Sequence, residues 1–246
     1  MKPLLALAFA TLALSACSKG DGAGNGTAAA PVAAKAAPAG QNWSETVSKT
    51  AEGYVMGNPD APIKLAEYGS RLCPTCGALA REGYDPLIKN YVSSGKVSFE
   101  FREFMVHGPA DLPPALLGNC VDKAAFFPVL EQMFHDQAGF DEGLQKMTPE
   151  QQQALQAQAS KPDVLIKMLA EAEGIVPYMK QRGLPEAKIQ ACLANRAEVD
   201  RLTKQTQDKT NDGTVSGTPT LLINGKVVNG AITWPQVEAA LKAAGA

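Results

Sequence analysis

The 246-residue sequence has no excess of basic residues, with 23 Lys and Arg against 25 Asp and Glu and a net charge of −2. Proteins that bind nucleic acid usually show a basic patch or stripe, so no nucleic-acid partner is expected. No internal repeat is visible, which excludes a solenoid. The N-terminal apolar run from Pro3 to Leu14 is well short of the roughly 20 residues that a membrane-spanning helix needs. What is present is ordinary: 45% hydrophobic and 20% charged residues, enough for a sizeable core in one large domain or two small ones. Five cysteines is an odd number, so one of them has a use other than an internal bridge.

The chain start supplies that use. Lys2, the apolar run Pro3–Leu14 and the small pair Ser15-Ala16 have the layout of a secretory signal over residues 1–16. Leu14-Ser15-Ala16-Cys17 resembles the lipobox of bacterial lipoproteins, which implies cleavage before Cys17 and its acylation. Ser18, rather than an aspartate, follows Cys17, and in lipoprotein terms that leans towards the outer membrane. Two or more acyl chains anchor a protein stably, and four cysteines remain for the rest of the chain. Residues 17–42 are rich in Gly, Ala and Pro without apolar periodicity and read as a flexible tether. Such a chain has a typical reach of about 25–30 Å. The folded part is expected over 43–246.

Ile63–Tyr68, after the turn signal Asn58-Pro59-Asp60-Ala61-Pro62, reads as a buried strand. A helical segment follows to about Ser93. Lys96–Val106 then alternates Val97, Phe99 and Phe101 on one face with Ser98, Glu100 and Arg102 on the other, a second strand. Strand, helix and strand imply two parallel neighbours joined by a right-handed crossover. Residues 108–212 show helical spacing and no strand pattern. Thr220–Ile223, Asn224-Gly225 and Lys226–Val228 form a hairpin signal. Thr233 caps a terminal helix with Pro235 in its first turn. The fold class is α/β, with a helical insertion at about 108–212.

Cys73-Pro74-Thr75-Cys76 lies between the first strand and its helix, the context in which a C-x-x-C pair becomes informative. The unpaired N–H groups at a helix start favour thiolate over thiol, which makes Cys73 the nucleophile. Cys76, one turn on, is placed to attack a mixed disulfide at Cys73, and Pro74 suits the first helical position. Use of the pair as half of a zinc site would need two more ligands from Cys120, Cys192, His107 and His135, none of which shows a close ligand spacing. No metal and no cofactor are therefore expected. His107 follows a strand end, from which it could approach the active site, and a loop or surface position is the simpler reading.

Taken in order, Glu67, Cys73-Pro74-Thr75-Cys76, the helical insert and Gly217-Thr218-Pro219-Thr220 resemble the DsbA-like thiol-disulfide oxidoreductases, which have a thioredoxin-like fold with a large helical insertion. Asn58-Pro59-Asp60-Ala61-Pro62 is similar to the bacterial members with two cysteines in the insert. The resemblance implies that Pro219 is a cis-proline facing the active cysteines and that the Thr218 backbone pairs with an extended client. It implies that Glu67 is a buried acid passing protons to Cys76, with a pKa raised by burial. Many DsbA-like oxidases carry histidine where Thr75 stands. Thr75 offers only a hydroxyl, and the potential is accordingly expected to be less oxidising, with Pro74 and Thr75 as tuning positions.

Cys120 and Cys192 both sit in helical patterns of the insert. In an oxidising periplasm they are expected to form a structural disulfide; two buried thiols and a second redox pair remain the alternatives. The resemblance implies a periplasmic oxidase that acts on reduced or misoxidised client proteins, is reoxidised by a membrane redox partner and is held to the membrane by its lipid anchor. A reductase or isomerase would use the same residues, and a metal-handling or structural lipoprotein would keep the fold without the activity. The sequence carries no reading of oligomeric state.

Overall fold

The structure is a computed structural model and describes residues 29–246. The signal at 1–16 and the lipidation residue Cys17 lie outside the described residues. Six strands form one sheet: β1 (Val47–Lys49), β2 (Tyr54–Met56), β3 (Ile63–Gly69), β4 (Val97–Glu103), β5 (Thr220–Ile223) and β6 (Lys226–Val227). Their spatial order is β1-β2-β4-β3-β5-β6. β3 and β4 are parallel, in register from Ile63↔Val97 to Gly69↔Glu103, and every other pairing is antiparallel.

The βαβ unit forms as its sequence requires. Helix α1 (Pro74–Leu87) starts at the N-cap Cys73, with Pro74 where a missing N–H costs nothing, and a π-helical turn (Ile88–Val92) continues it. It lays Leu79, Ala80, Tyr84 and Leu87 on the sheet. The Asn224-Gly225 hairpin has both residues at positive φ, 50° and 79°, which a two-residue turn between twisted strands favours. The closing helix α10 (Trp234–Ala243) has the Thr233 cap, doubled into a capping box with Gln236.

Two features differ from the sequence expectation. β1 and β2 are absent from it, because strands of three residues are too short to display a period of two. They form by pairing on β4, with Tyr54 opposite Phe101 and Met56 opposite Phe99. Ser98, on the outward face of β4, is buried as well, at 4% exposure.

The insert is helical throughout its described length: α2 (Leu112–Gly118), α3 (Phe126–His135), α4 (Gln137–Gln145), α5 (Pro149–Ala157), α6 (Pro162–Ala172), α7 (Ile175–Gln181), α8 (Glu186–Leu193) and α9 (Arg196–Asn211). Two main cores result. The one between the sheet and helices α1, α3 and α10 is aromatic, with Tyr54, Tyr84, Phe99, Phe101, Phe126 and Phe134. The one inside the insert is mainly aliphatic, built on Leu116, Leu117, Ile166, Ile175, Met179 and Leu202.

Residues 29–42, read from sequence as part of a tether, run along the folded part. Ala29 and Val32 donate their N–H groups to Ala243 and Gly245, Lys35 donates to Ser94, and the Trp43 indole donates to the Lys35 carbonyl at 2.7 Å. Among the described residues no helix is long and apolar enough to cross a membrane.

Candidate active site

Strand β3 ends at Gly69, and a three-residue turn delivers Cys73 to the start of α1. The Cys73 N–H is held by the Ser70 carbonyl at 3.1 Å, and the Leu72 N–H donates to Ser70 Oγ at 3.0 Å. Cys73 Sγ accepts from the Cys76 N–H at 3.4 Å. On its other side it lies 3.4 Å from the carbonyl of Thr218, which precedes Pro219 through a cis peptide bond. The predicted pieces Cys73, Cys76, Thr218 and Pro219 are therefore together, although some 140 residues separate the two motifs.

The two thiols are driven in opposite directions. The Cys76 thiol, the Thr218 hydroxyl and the backbone N–H groups of Cys76 and Thr75 each favour the charged form of Cys73, and together they overcome burial to bring its pKa down to about 5. Thr218 Oγ1 is buried without a hydrogen-bond partner among the described residues, which leaves its hydroxyl free to turn towards the thiolate. Burial pushes the Cys76 thiol well above its usual value, helped by its bond to Cys73 and the charge of Glu67. At neutral pH Cys73 is an anion and Cys76 a protonated thiol.

Glu67 is 1% exposed on β3. Its Oε2 accepts from the Tyr84 hydroxyl at 3.0 Å, while Oε1 has no partner among the described residues. Burial raises its pKa to about 8, which keeps it a neutral acid at pH 7. Pro74 and Thr75 are both exposed at the mouth of the site.

The insert reaches the same loop. Gln137, the first residue of α4, donates through Nε2 to the carbonyls of Cys73 (2.8 Å) and Arg71 (2.9 Å). The Arg71 guanidinium is fully buried, bonded to Glu103 Oε1 at 2.8 Å and resting 5.2 Å from the Phe126 ring centre. Breaking such a buried pair by removing one partner is costly, on the order of 3–5 kcal/mol. Sequence reading did not find Tyr84, Gln137 or the Arg71–Glu103 pair. The one local signal was a charged residue in the run Tyr68-Gly69-Ser70-Arg71-Leu72.

Beside Pro219 a cleft of about 440 Å³ opens, lined by Gly217, Thr218, Val227, Val228 and Ile232 among others. Val227 and Ile232 are 40% and 46% exposed there. Cys120 and Cys192 form a disulfide with Cα atoms 6.2 Å apart, spanning 72 residues. The bridge sets aside the alternative of two buried thiols. Among the described residues, no group of three or more His, Cys, Asp or Glu is arranged to hold a metal ion.

A thiolate at a helix start, a protonated partner one turn on, a buried acid below and a cis-proline above define a thiol-disulfide exchange centre on a thioredoxin-like fold. The family model described as Thioredoxin matches residues 49–243, and the chain belongs to that family, as a DsbA-like thiol-disulfide oxidoreductase. Disulfide bond formation protein D of Bacillus subtilis is 22% identical over 187 residues, 75% of this chain and 73% of that protein. A crystal structure of protein-disulfide isomerase from Novosphingobium aromaticivorans is similar with a TM-score of 0.73 and 29% identity, covering 79% of this chain and 98% of that one. Wolbachia pipientis alpha-DsbA1 shares the fold at a TM-score of 0.60 and 17% identity, over 76% of this chain and 88% of that one.

Proposed function

We propose that the protein is an oxidase that passes the Cys73–Cys76 disulfide to reduced client proteins on the periplasmic side of a bacterial membrane. The observation that carries the reading is the opposite perturbation of the two thiols, with Cys73 brought down to about 5 and Cys76 pushed up. Stabilising the thiolate stabilises the reduced form, and that makes the disulfide a stronger oxidant.

A client thiolate attacks Cys73 Sγ, and the S–S bond breaks to leave a mixed disulfide and a Cys76 thiolate. Glu67, neutral at pH 7, is the acid that supplies the proton Cys76 takes up. The client's second thiolate then attacks its own mixed-disulfide sulfur and expels Cys73 as a thiolate. Two electrons have moved from client to protein, and a membrane redox partner removes them. The exposed rim of the cleft and the Thr218 backbone suit an extended client that pairs by main-chain hydrogen bonds, so little client sequence is read.

In this reading residues 1–16 are a signal, Cys17 is acylated, 17–42 connect it to the catalytic domain at 43–246, and Ser18 favours the outer membrane. The Cys120–Cys192 bridge is structural. A reductase or isomerase is the second reading, favoured by the 29% identical solved relative named as a protein-disulfide isomerase and by the uncharged Thr75.

Acid-quenched alkylation in the native compartment, with each cysteine assigned by mass spectrometry, separates the two. Cys73 and Cys76 mostly bridged is the expected result. The pair mostly reduced, with Cys120–Cys192 still bridged, overturns the oxidase in favour of a reductase or isomerase. Mixed disulfides at Cys73 in a Cys76→Ala variant are expected under either reading.

A further inference from the structure

No charged side chain stands within Cys73-Pro74-Thr75-Cys76, so a side-chain charge that tunes Cys73 must come from another part of the fold. β3 and β4 are parallel neighbours, with Gly69 opposite Glu103, and the segments that follow them leave the sheet side by side. One carries Ser70 and Cys73, the other His107 and Asp111. Asp111 is 2% exposed and accepts three hydrogen bonds, from Ser70 Oγ, from the His107 N–H and from His107 Nδ1. The Nδ1 contact is 3.0 Å, and Ser70 Oγ lies 3.5 Å from the same nitrogen. With Nδ1–H committed to Asp111, Nε2 is left without a partner among the described residues, on a ring that is 42% exposed.

We propose that His107, oriented by Asp111 and Ser70, is a positioning residue for the exchange reaction: as an imidazolium beside the active loop it favours the Cys73 thiolate and so makes the Cys73–Cys76 disulfide more oxidising. The groups around it are Asp111 on its own turn, Ser70 and Cys73 on the loop before α1, Asp141 on α4 and Glu173 at the end of α6. Asp141 and Glu173 are both held above the usual carboxylate range by burial. Burial thus favours the neutral forms of these two carboxyls, and the carboxyl that touches the imidazole is Asp111.

The bond to Asp111 raises the imidazole pKa first, and the charge on Cys73 raises it further. Electrostatic coupling between two sites is reciprocal, so the protonated ring must lower the Cys73 pKa in turn. It does so in addition to the local hydrogen bonds, which lead. One partly screened charge acting across the Ser70–Cys73 turn is worth about threefold to tenfold in an equilibrium constant.

This inference rests on Cys73 being the reacting thiol, and the test keeps the two apart. The native protein, His107→Gln and His107→Lys are reduced at the active pair with Cys120–Cys192 intact, the thiolate absorbance near 240 nm is followed against pH, and each is equilibrated with glutathione buffers at several pH values. His107→Gln is expected to raise the Cys73 midpoint and to make the disulfide about threefold to tenfold less oxidising. His107→Lys keeps the charge and should stay near native in both. The native and His107→Gln equilibria should converge as pH rises through the imidazole titration. A His107→Gln protein with the native midpoint and native glutathione equilibrium overturns the inference, and so does a His107→Lys protein that behaves like His107→Gln. Absence of any low-pH thiolate in the native protein overturns instead the assignment of Cys73. Both substitutions fall on a part-exposed ring, and thermal unfolding of each variant confirms that folded protein is compared.

Discussion

The chain holds two cysteine pairs in opposite helical settings. Cys73 caps the start of α1, where free N–H groups converge on its sulfur. Cys120 lies just past the end of α2 and Cys192 is the last residue but one of α8, where unpaired carbonyls and the negative end of the dipole disfavour a thiolate. The first pair sits three residues apart with its pKa values split; the second closes a separation of 72 residues. The end of a helix that receives a sulfur thus favours the thiolate at one pair and disfavours it at the other.

The comparison breaks most visibly if the wrong pair is removed. Cys73→Ser should abolish thiol-disulfide exchange with a reduced, unfolded client while leaving the thermal melt nearly unchanged; residual turnover above background would shift the reactive role to another sulfur. The double change Cys120→Ala with Cys192→Ala should lower stability by about 4 kcal/mol on the loop-entropy estimate, read by urea unfolding. Exchange rates measured under folding conditions should survive it, and a collapse of exchange in still-folded protein would show the bridge to be coupled to the site.

Glu67 sharpens the comparison through pH. Its proton is bound up to about pH 8 in the folded protein but only to the ordinary carboxylate range when unfolded, so the folded state loses stability as pH rises between the two. Glu67→Gln should flatten that fall when urea midpoints of the oxidised protein are compared at pH 5 and 8, and should slow the step that protonates Cys76. Equal slopes in both proteins would mean that Glu67 titrates normally. The smallest effect is expected for Thr218→Val, which removes one of several donors to the thiolate and should raise the Cys73 midpoint by less than the loss of the backbone donors would. A stopped-flow alkylation profile against pH reads it, and a downward shift would contradict the donor role.

The parts of the fold legible in the sequence are those whose signals are local. The alternation of Val97, Phe99 and Phe101 marks β4, Asn224-Gly225 marks the hairpin, and Thr233 marks α10. β1 and β2 depend on the edge of β4 and have no pattern of their own. The candidate site divides in the same way. Cys73, Cys76, Glu67, Thr218 and Pro219 were identified from short motifs in order, and the fold brings the cysteines to Thr218. Gln137, Tyr84 and the Arg71–Glu103 pair act through tertiary contacts with elements far off in sequence, for which spacing gives no cue. His107 was expected in a loop, where it lies, but its bond to buried Asp111 and its closeness to Ser70 depend on the parallel register of β3 and β4.

Residues 29–42 meet the domain where β3 and β4 begin: Lys35 pairs with Asp60 at 3.1 Å and its N–H reaches Ser94. Cys73 stands where β3 ends, seven strand residues away, about 23 Å along the sheet. The molecule thus has a base and a crown. A dye, an affinity handle or a solid support joined ahead of residue 29 enters at the base, and the active loop at the crown, with Pro74 and Thr75 exposed over the buried Cys73, is left open to whatever approaches from solution.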